Sequence, residues 1–209
     1  EFPKPETGTS FNNFEVSVRL RFAYLETYLE NNFFRTSLGS DYPITELRIS
    51  RGIPGVFKSA YKYTKLNLTV SDFKKISPFG TIYYNLYAGK VFGTVPYMLL
   101  NIAPGNEIYY YNKYAFNLMN RYEYIMDRYA GMQIEHNIGN GIFRLIPFNR
   151  FLKFRQFWNM KMIWGDMTEA NRALNIRSDF PFVDLRGRTY MEMGTGVDNI
   201  LRFFRLDLV

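Results

Sequence analysis

Hydrophobic and polar residues alternate with a period of two near the start of the chain. The even positions from Phe14 to Tyr24 are apolar or aromatic, and the odd positions from Glu15 to Ala23 are charged, polar or small. Because successive side chains of a β-strand point to opposite faces, this stretch predicts a strand with one apolar and one charged face. An α-helix would spread the same apolar residues around its whole circumference.

The same alternation recurs along the chain and predicts about eight strands. Besides the first strand, it covers residues 44–49, 65–71, 81–88, 129–135, 154–164, 191–197 and 204–208. Turn residues separate these segments, and hardly any stretch has convincing helical periodicity. The sequence therefore predicts an all-β protein made of antiparallel strands.

Alternation alone fits both a soluble barrel or sandwich and a membrane barrel. The soluble architectures turn the apolar face inward, whereas a membrane barrel turns it to lipid and lines its lumen with the polar face. Several predicted strands reach about ten residues, the length that crosses a bilayer at a tilt. Aromatic residues also crowd the predicted strand ends, as in an interfacial girdle: Tyr24, Tyr28, Tyr122, Tyr124, Trp158, Trp164, Phe203 and Phe204.

The connections between predicted strands also alternate in length. Short turns at 72–80 and 196–203 alternate with long loops at 93–120 and 165–188. Outer-membrane barrels place short turns on the periplasmic side and long loops outside. We therefore predict an antiparallel transmembrane β-barrel of the bacterial outer membrane, with membrane lipid against its apolar face.

Composition and charge narrow the function classes. The chain has 19% aromatic residues and a formal net charge of +7. Its basic residues are spread singly, with no run longer than Lys74-Lys75, so we expect no nucleic-acid partner. The absence of cysteine excludes disulfides, thiolate metal sites and cysteine nucleophiles in this chain.

Candidate catalytic chemistry is sparse. His136 is the only histidine, so any serine–histidine mechanism would depend on it, and a two-histidine zinc site is excluded. It has the parity of the apolar face, which favours an interfacial position over a catalytic one. We therefore predict a non-enzymatic protein with no cofactor and no metal. A membrane-embedded hydrolase and a soluble β-barrel that binds an apolar ligand stay open as alternatives.

The residues that alternate with the apolar positions, and so share the polar face, include charges of both signs. We predict that these residues form ion pairs across the lumen, which would satisfy charges held near the membrane core. The alternative, a catalytic carboxylate pair, lacks a distinctive spacing. The predicted lumen charge network consists of Glu15, Arg19, Arg21, Asp127, Glu135, Arg155, Lys161, Glu192, Arg205 and Asp207.

The loop 93–120 is rich in apolar and aromatic residues and poor in charge, so we expect it to pack against something. We favour an ordered loop that docks an envelope protein partner, and a lumen plug is the alternative. The docking residues would be Met98, Leu99, Leu100, Ile102, Tyr109, Tyr110 and Tyr111. Residues 141–155 mix apolar and basic residues, which fits either a short amphipathic excursion in the membrane surface or an ordinary turn.

Several strings resemble one family of bacterial proteins. These are "LGSDYPITELRISRGIPG" (38–55), "VFGTVPYMLLNIAPGNE" (91–107), "YAFNLMNRYEYIMDRYAG" (114–131) and "GTGVDNILRFFRLDLV" (194–209). They look like the C-terminal barrel of a Bacteroidota outer-membrane family that carries an N-terminal carboxypeptidase-regulatory-like domain and is largely uncharacterised.

The resemblance implies a domain organisation. Residues 1–209 would be part of a single barrel domain, with a β-sandwich domain, further strands upstream and a closing strand all lying outside this chain. Separately from the resemblance, which transfers no mechanism, we predict that a non-enzymatic barrel of this kind acts as a channel, a translocation or assembly component, or a scaffold in an envelope complex.

Overall fold

The computed structural model describes residues 11–108, 111–139, 143, 153–176 and 182–209. Within these residues the chain forms twelve strands and little helix. The strands are β1 (Glu15–Phe22), β2 (Thr27–Asn31), β3 (Phe34–Gly39), β4 (Ile44–Gly52), β5 (Tyr63–Lys75), β6 (Thr81–Phe92), β7 (Asn101–Ile102), β8 (Ile125–Met126), β9 (Arg128–Gly139), β10 (Arg155–Asp166), β11 (Thr189–Ile200) and β12 (Phe204–Leu208). The helical elements are 3-10 turns at Val56–Lys58 and Tyr97–Leu99 and the α-helix α1 (Glu169–Asn175).

Eight of the strands form one antiparallel sheet in the order β1-β4-β5-β6-β9-β10-β11-β12. Each of the eight strands predicted from the period of two coincides with one of these strands, so the all-β prediction is confirmed. In the part of the chain that the structure describes, β1 and β12 are the two edges of the sheet and do not pair with each other. The sheet is therefore open.

Two elements were not predicted from the alternation. The hairpin β2–β3 extends the connection between β1 and β4, and its base is held by Glu26, which accepts hydrogen bonds from Arg21, Tyr28 and Ser37. The helix α1 follows β10 and is seven residues long. No helix in the described ranges has the length and hydropathy of a transmembrane helix.

The strand register divides the large sheet into an apolar face and a polar face. Cross-strand partners share a face, so a row of paired residues can be followed from strand to strand. One row of the apolar face contains Phe22, Thr45, Val70, Leu86, Met132, Met162 and Met191. The next row of the polar face contains Ser71, Asn85, Gln133, Lys161 and Glu192.

In a water-soluble protein, the apolar face of a sheet is buried and the polar face is exposed. In the central strands of this sheet the exposure is reversed. Leu86 and Met193 on the apolar face are 43% and 59% exposed, respectively. On the polar face, Lys161 and Glu192 are 2% and 3% exposed. In β10 and β11 the sheet thus exposes hydrophobic side chains on one face and buries Lys161 and Glu192 on the other.

The apolar core lies on the polar side of the sheet, near the end where β6 finishes and β9 begins. One cluster packs Tyr63 and Val91 of the sheet against Val95, Leu99 and Leu100 of the following loop. A second cluster centres on Phe116, Met119 and Met126, packed against Ile163 of β10. The connection between β6 and β9 is therefore folded back onto the sheet.

Candidate functional site: the covered polar face

The polar face of β9, β10 and β11 is covered by residues 111–118, which we call the covering segment. The covering segment belongs to the connection between β6 and β9 and lies over the polar row of β9, β10 and β11. Gln133 donates from Nε2 to the Tyr114 carbonyl at 3.0 Å. Side chains of the sheet thus bind the backbone of the covering segment.

Lys161 of β10 binds the covering segment through two carbonyl groups. Its ammonium Nζ donates to the Asn112 carbonyl at 2.7 Å and to the Ala115 carbonyl at 2.5 Å. It also lies 4.6 Å from the centroid of the Tyr111 ring. A buried ammonium needs such partners, because removing an unpaired charge from water is costly.

Glu192 of β11 complements Lys161 by binding amide groups. Its carboxylate accepts the backbone N–H groups of Asn117 at 2.7 Å and Leu118 at 2.8 Å. The Tyr190 hydroxyl donates to the same carboxylate at 2.9 Å. Lys161 and Glu192 are paired in register, so one cation–anion pair of the sheet holds both the carbonyl groups and the amide groups of one turn.

The local sequence of the covering segment explains why these backbone groups converge. The Asn117 side chain closes the turn, because its Oδ1 accepts the Asn112 N–H at 2.9 Å and its Nδ2 donates to the Asn112 carbonyl at 3.2 Å. Asn106 Nδ2 also donates to Asn117 Oδ1 at 2.9 Å. Asparagine is favoured in such turns because its short amide bonds to nearby backbone.

A second group of charges surrounds the start of the covering segment. Glu135 Oε2 accepts from the Tyr111 hydroxyl at 3.3 Å and from Arg205 at 3.2 Å, and Arg205 also pairs with Asp207 at 3.0 Å. Lys113 Nζ lies 3.8 Å from Glu135 Oε1. Burial lowers the pKa of Lys113, with Glu135 opposing the shift, and burial raises the pKa of Tyr111.

The structure distributes the ten predicted network residues among several groups. Glu135, Lys161, Glu192, Arg205 and Asp207 lie around the covering segment. The β1 residues form separate pairs elsewhere on the sheet, where Glu15 lies 3.6 Å from Lys65, Arg19 lies 2.5 Å from Glu46 and Arg21 lies 2.5 Å from Glu26. Arg155 is exposed at the start of β10.

Asp127 has a different role from the other carboxylates. It precedes β9 and is buried, and its Oδ2 accepts the Thr168 N–H at 2.8 Å, the Thr168 hydroxyl at 2.6 Å and Asn171 Nδ2 at 2.8 Å. Asp127 therefore fixes the start of α1 to the end of the sheet. Its contacts are those of a structural residue.

The residues proposed for partner docking occupy several environments. Leu99 and Leu100 are buried in the core, Ile102 packs against that core, and Met98 is exposed. Tyr111 lies between Lys161 and Arg205, with Lys161 Nζ and Arg205 Cζ each 4.6 Å from its ring centroid. Tyr109 and Tyr110 lie outside the described residues, as do residues 141–142 and 144–152 of the predicted amphipathic segment.

His136 is fully engaged on the apolar face. The Trp158 indole donates to its Nδ1 at 3.0 Å, and its Nε2 lies 2.8 Å from the Phe79 carbonyl. Because an indole N–H can only donate, Nδ1 accepts and Nε2 carries the proton. Both ring nitrogens are thus used by structural bonds. In the described ranges, no three acidic or histidine side chains form a group that could hold a metal ion.

Several residues of the site could not be recognised individually from the sequence. Asn112, Lys113 and Asn117 were not among the candidates, and Gln133 was assigned only to the polar parity. The alternation places Gln133 on the same face as Lys161, and this shared face is the only sequence signal for its role. The backbone bonds of Asn112 to Lys161 and of Asn117 to Glu192 join residues 49 and 75 positions apart, which no local pattern reports.

Comparison with known proteins gives a family for the chain. Residues 2–170 match the C-terminal domain of a family of unknown function, DUF5686. The chain belongs to the DUF5686 family. No curated protein matches it, and no solved structure does.

The DUF5686 match covers part of the site. It includes β1 to β10, the covering segment and Lys161. Glu192, Arg205 and Asp207, which complete the charged surroundings of the covering segment, follow the matched residues.

Proposed function

We propose that this chain forms part of the wall of a transmembrane β-barrel in a bacterial outer membrane. It would act without catalysis, as a channel, a translocation or assembly component, or a scaffold in an envelope complex. The observation that carries the proposal is the reversed exposure of the sheet: hydrophobic side chains are exposed along the apolar face, and the polar face of β9, β10 and β11 is buried beneath the chain's own covering segment.

The apolar face has the extent that a bilayer requires. Strands β6, β9, β10 and β11 have 12 residues each. At about 3.3 Å per residue and a tilt of about 45°, such a strand spans roughly 28 Å, close to the roughly 30 Å hydrocarbon core. A monomeric soluble protein rarely exposes a contiguous apolar surface of this kind, because water makes it unfavourable.

Among the roles in the proposal, a closed passage fits the polar face best. The lumen of such a barrel would be lined by the polar rows, and the covering segment would occupy it. The segment is bound through charge-assisted hydrogen bonds from side chains of the wall to its backbone, as for Lys161 and Glu192. Such bonds can exchange with water when the segment leaves, so the passage would be able to open.

The proposed cellular location and domain organisation come from the family resemblance of the four sequence segments quoted above. This resemblance supports a Bacteroidota outer membrane, an N-terminal carboxypeptidase-regulatory-like domain and envelope protein partners. The proposal includes no nucleic acid, metal or cofactor. The detergent test below discriminates this proposal from a soluble β-barrel that binds an apolar ligand.

Detergent dependence tests the proposal directly. We expect the purified chain to partition into the detergent-rich phase of a nonionic detergent mixture and to be extracted from membranes only with detergent. A chain that stays monomeric and folded in detergent-free buffer would contradict the membrane assignment and favour the soluble alternative. Circular dichroism would establish that the protein in each phase retains its β-structure.

His136→Ala separates the proposed function from a hydrolase. We expect the variant to lose the bond from Trp158 and the bond to the Phe79 carbonyl, each worth about 1 kcal/mol. The Trp158 emission spectrum should shift, and the melting temperature should fall. Ester or peptide hydrolysis that is present in the parent and absent in a folded His136→Ala protein would contradict a non-enzymatic role.

A further inference from the structure

The two ends of the apolar face carry different net charges. At the end where β6 finishes, two neighbouring rows of this face contain Arg51, Lys90, Arg128 and Asp166. At the opposite end, two rows contain Lys74 and Asp72, with 3.9 Å between Lys74 Nζ and Asp72 Oδ2. The first end therefore has an excess of two positive charges, and the second end is balanced.

Like charges meet directly at the first end. Lys90 of β6 and Arg128 of β9 are cross-strand partners, and Arg128 bonds to Asp166 of β10 on its other side. Asp166 is shared with Arg172, whose Nη2 lies 3.2 Å from it. Like charges opposite each other destabilise a sheet, so this arrangement calls for a further anion.

One nitrogen of a cationic side chain at this end has no hydrogen-bond partner. Arg128 Nε is buried without a hydrogen-bond partner, although the Arg128 side chain as a whole is 43% exposed. Lys90 and Arg51 are exposed. Lys90 Nζ lies 4.8 Å from the Phe92 ring centroid, and the register places Phe92 in the same row as Arg51. Cations and an aromatic ring thus form one continuous patch.

We infer that Arg51, Lys90 and Arg128 bind the phosphate-bearing headgroups of anionic membrane lipids. The inference rests on the proposed function, in which the apolar face contacts acyl chains. A lipid whose chains lie on the apolar rows would place its headgroup at the row of Lys90 and Arg128. Its phosphate would supply the anion that the paired cations lack.

The two tryptophans of the chain allow each end to be measured separately. Trp164 precedes Asp166 by two residues at the basic end, and Trp158 pairs with His136 at the balanced end. Both residues are 37% exposed. Trp158→Phe therefore leaves a fluorophore at the basic end, and Trp164→Phe leaves one at the balanced end.

The test reconstitutes both single-tryptophan proteins into vesicles that contain brominated phosphatidylglycerol or brominated phosphatidylcholine. Bromine quenches a tryptophan that its lipid touches, so the ratio of quenching gives the local lipid preference. We expect the Trp164 reporter to prefer phosphatidylglycerol by roughly fivefold or more at low salt, and the Trp158 reporter to show no preference. In Arg51→Gln/Lys90→Gln, the preference at Trp164 should fall to about one.

Two control variants separate charge from structure. Lys90→Arg keeps the charge and should keep the preference, and Lys74→Gln at the balanced end should leave it unchanged. Circular dichroism would show that each variant is folded. An Arg51→Gln/Lys90→Gln protein that is folded and retains the full preference would overturn the inference.

The remaining outcomes distinguish the inference from the proposed function. Quenching of both tryptophans by either lipid, without preference, would leave the membrane assignment standing and overturn the headgroup site. No quenching of either reporter would overturn the proposed function itself. Loss of the preference in millimolar inorganic phosphate, with the preference retained in sodium chloride of the same ionic strength, would show that the patch takes free phosphate, and the lipid assignment would be wrong.

Discussion

Replacing Glu192 by alanine should release the covering segment from the sheet. The substitution removes the acceptor of the Asn117 and Leu118 N–H groups and leaves Lys161 buried without its neighbouring anion. Hydrogen bonds to a charged group contribute about 1.5–3 kcal/mol each, so two of them correspond to at least roughly a hundredfold change in the closed population. The Asn117 and Leu118 amides should exchange with deuterium faster by at least that factor.

The control for this experiment is Glu30→Ala in the hairpin β2–β3. Glu30 pairs with Arg35 at 3.2 Å, and both side chains are exposed, so little stability should be lost. Exchange at Asn117 and Leu118 should be unchanged in the control. If Glu192→Ala left these two amides as slow as in the parent, the covering segment would be held by something other than Glu192.

Release of the segment should also change permeability, if the polar face lines a passage. Lys161→Met removes the other member of the Lys161–Glu192 pair and breaks the bonds to the Asn112 and Ala115 carbonyls. Planar-bilayer recordings of Glu192→Ala and Lys161→Met should show open events that are rare in the parent. If both variants showed no open events although their covering-segment amides exchanged faster with deuterium, the scaffold role would be favoured.

Leu86→Arg should have the largest effect on stability among single substitutions of the apolar face. Leu86 lies at the middle of β6 and is 43% exposed, so the arginine would have room. In lipid, an arginine near the bilayer midplane of a barrel costs about 2–4 kcal/mol. In water, a substitution at such an exposed site changes stability by about 0.5 kcal/mol or less. Reversible urea unfolding in the presence of vesicles measures the difference.

Two matched substitutions make this measurement specific. Leu86→Met keeps the volume and hydrophobicity and should cost little. Phe33→Arg places the same charge at the tip of the hairpin β2–β3, where Phe33 is 93% exposed. We expect Phe33→Arg to cost far less than Leu86→Arg. Equal small costs at both positions would mean that water, rather than lipid, faces Leu86.

The strands were predictable because their cause is local. In β10, Trp158, Met160 and Met162 alternate with Asn159 and Lys161, and a period of two has one physical meaning whichever partner strands are present. The same alternation assigned Lys161 and Glu192 to one face, and their register pairing agrees with it. Which face meets lipid or water is a property of the surroundings, so periodicity leaves it undetermined.

The covering segment was not predictable in the same way. Its position depends on bonds between Lys161 and the Asn112 carbonyl and between Glu192 and the Asn117 amide, which join residues 49 and 75 positions apart. Backbone groups are the same at every residue, so the sequence does not mark which of them a buried charge will bind. The helix α1 is seven residues long, too short for helical periodicity to be recognised.

The hairpin β2–β3 shows a third kind of limit. Its strands have five and six residues, and most of their side chains are exposed on both faces. A strand without a buried face has no requirement for strict alternation. The hairpin is instead fixed at its base by Glu26, which is bonded to Arg21, Tyr28 and Ser37.

Spin-label accessibility along β5 tests the central claim, that the apolar face meets lipid, most directly. The chain has no cysteine, so single cysteines at residues 66–70 can be labelled without a background. We predict that labels at 66, 68 and 70 in vesicles collide readily with oxygen, which concentrates in lipid, and poorly with a water-soluble nickel complex. Labels at 67 and 69 should be poorly accessible to oxygen. A period of two in which 66, 68 and 70 are accessible to the nickel complex would show that the apolar face meets water, and would contradict the account.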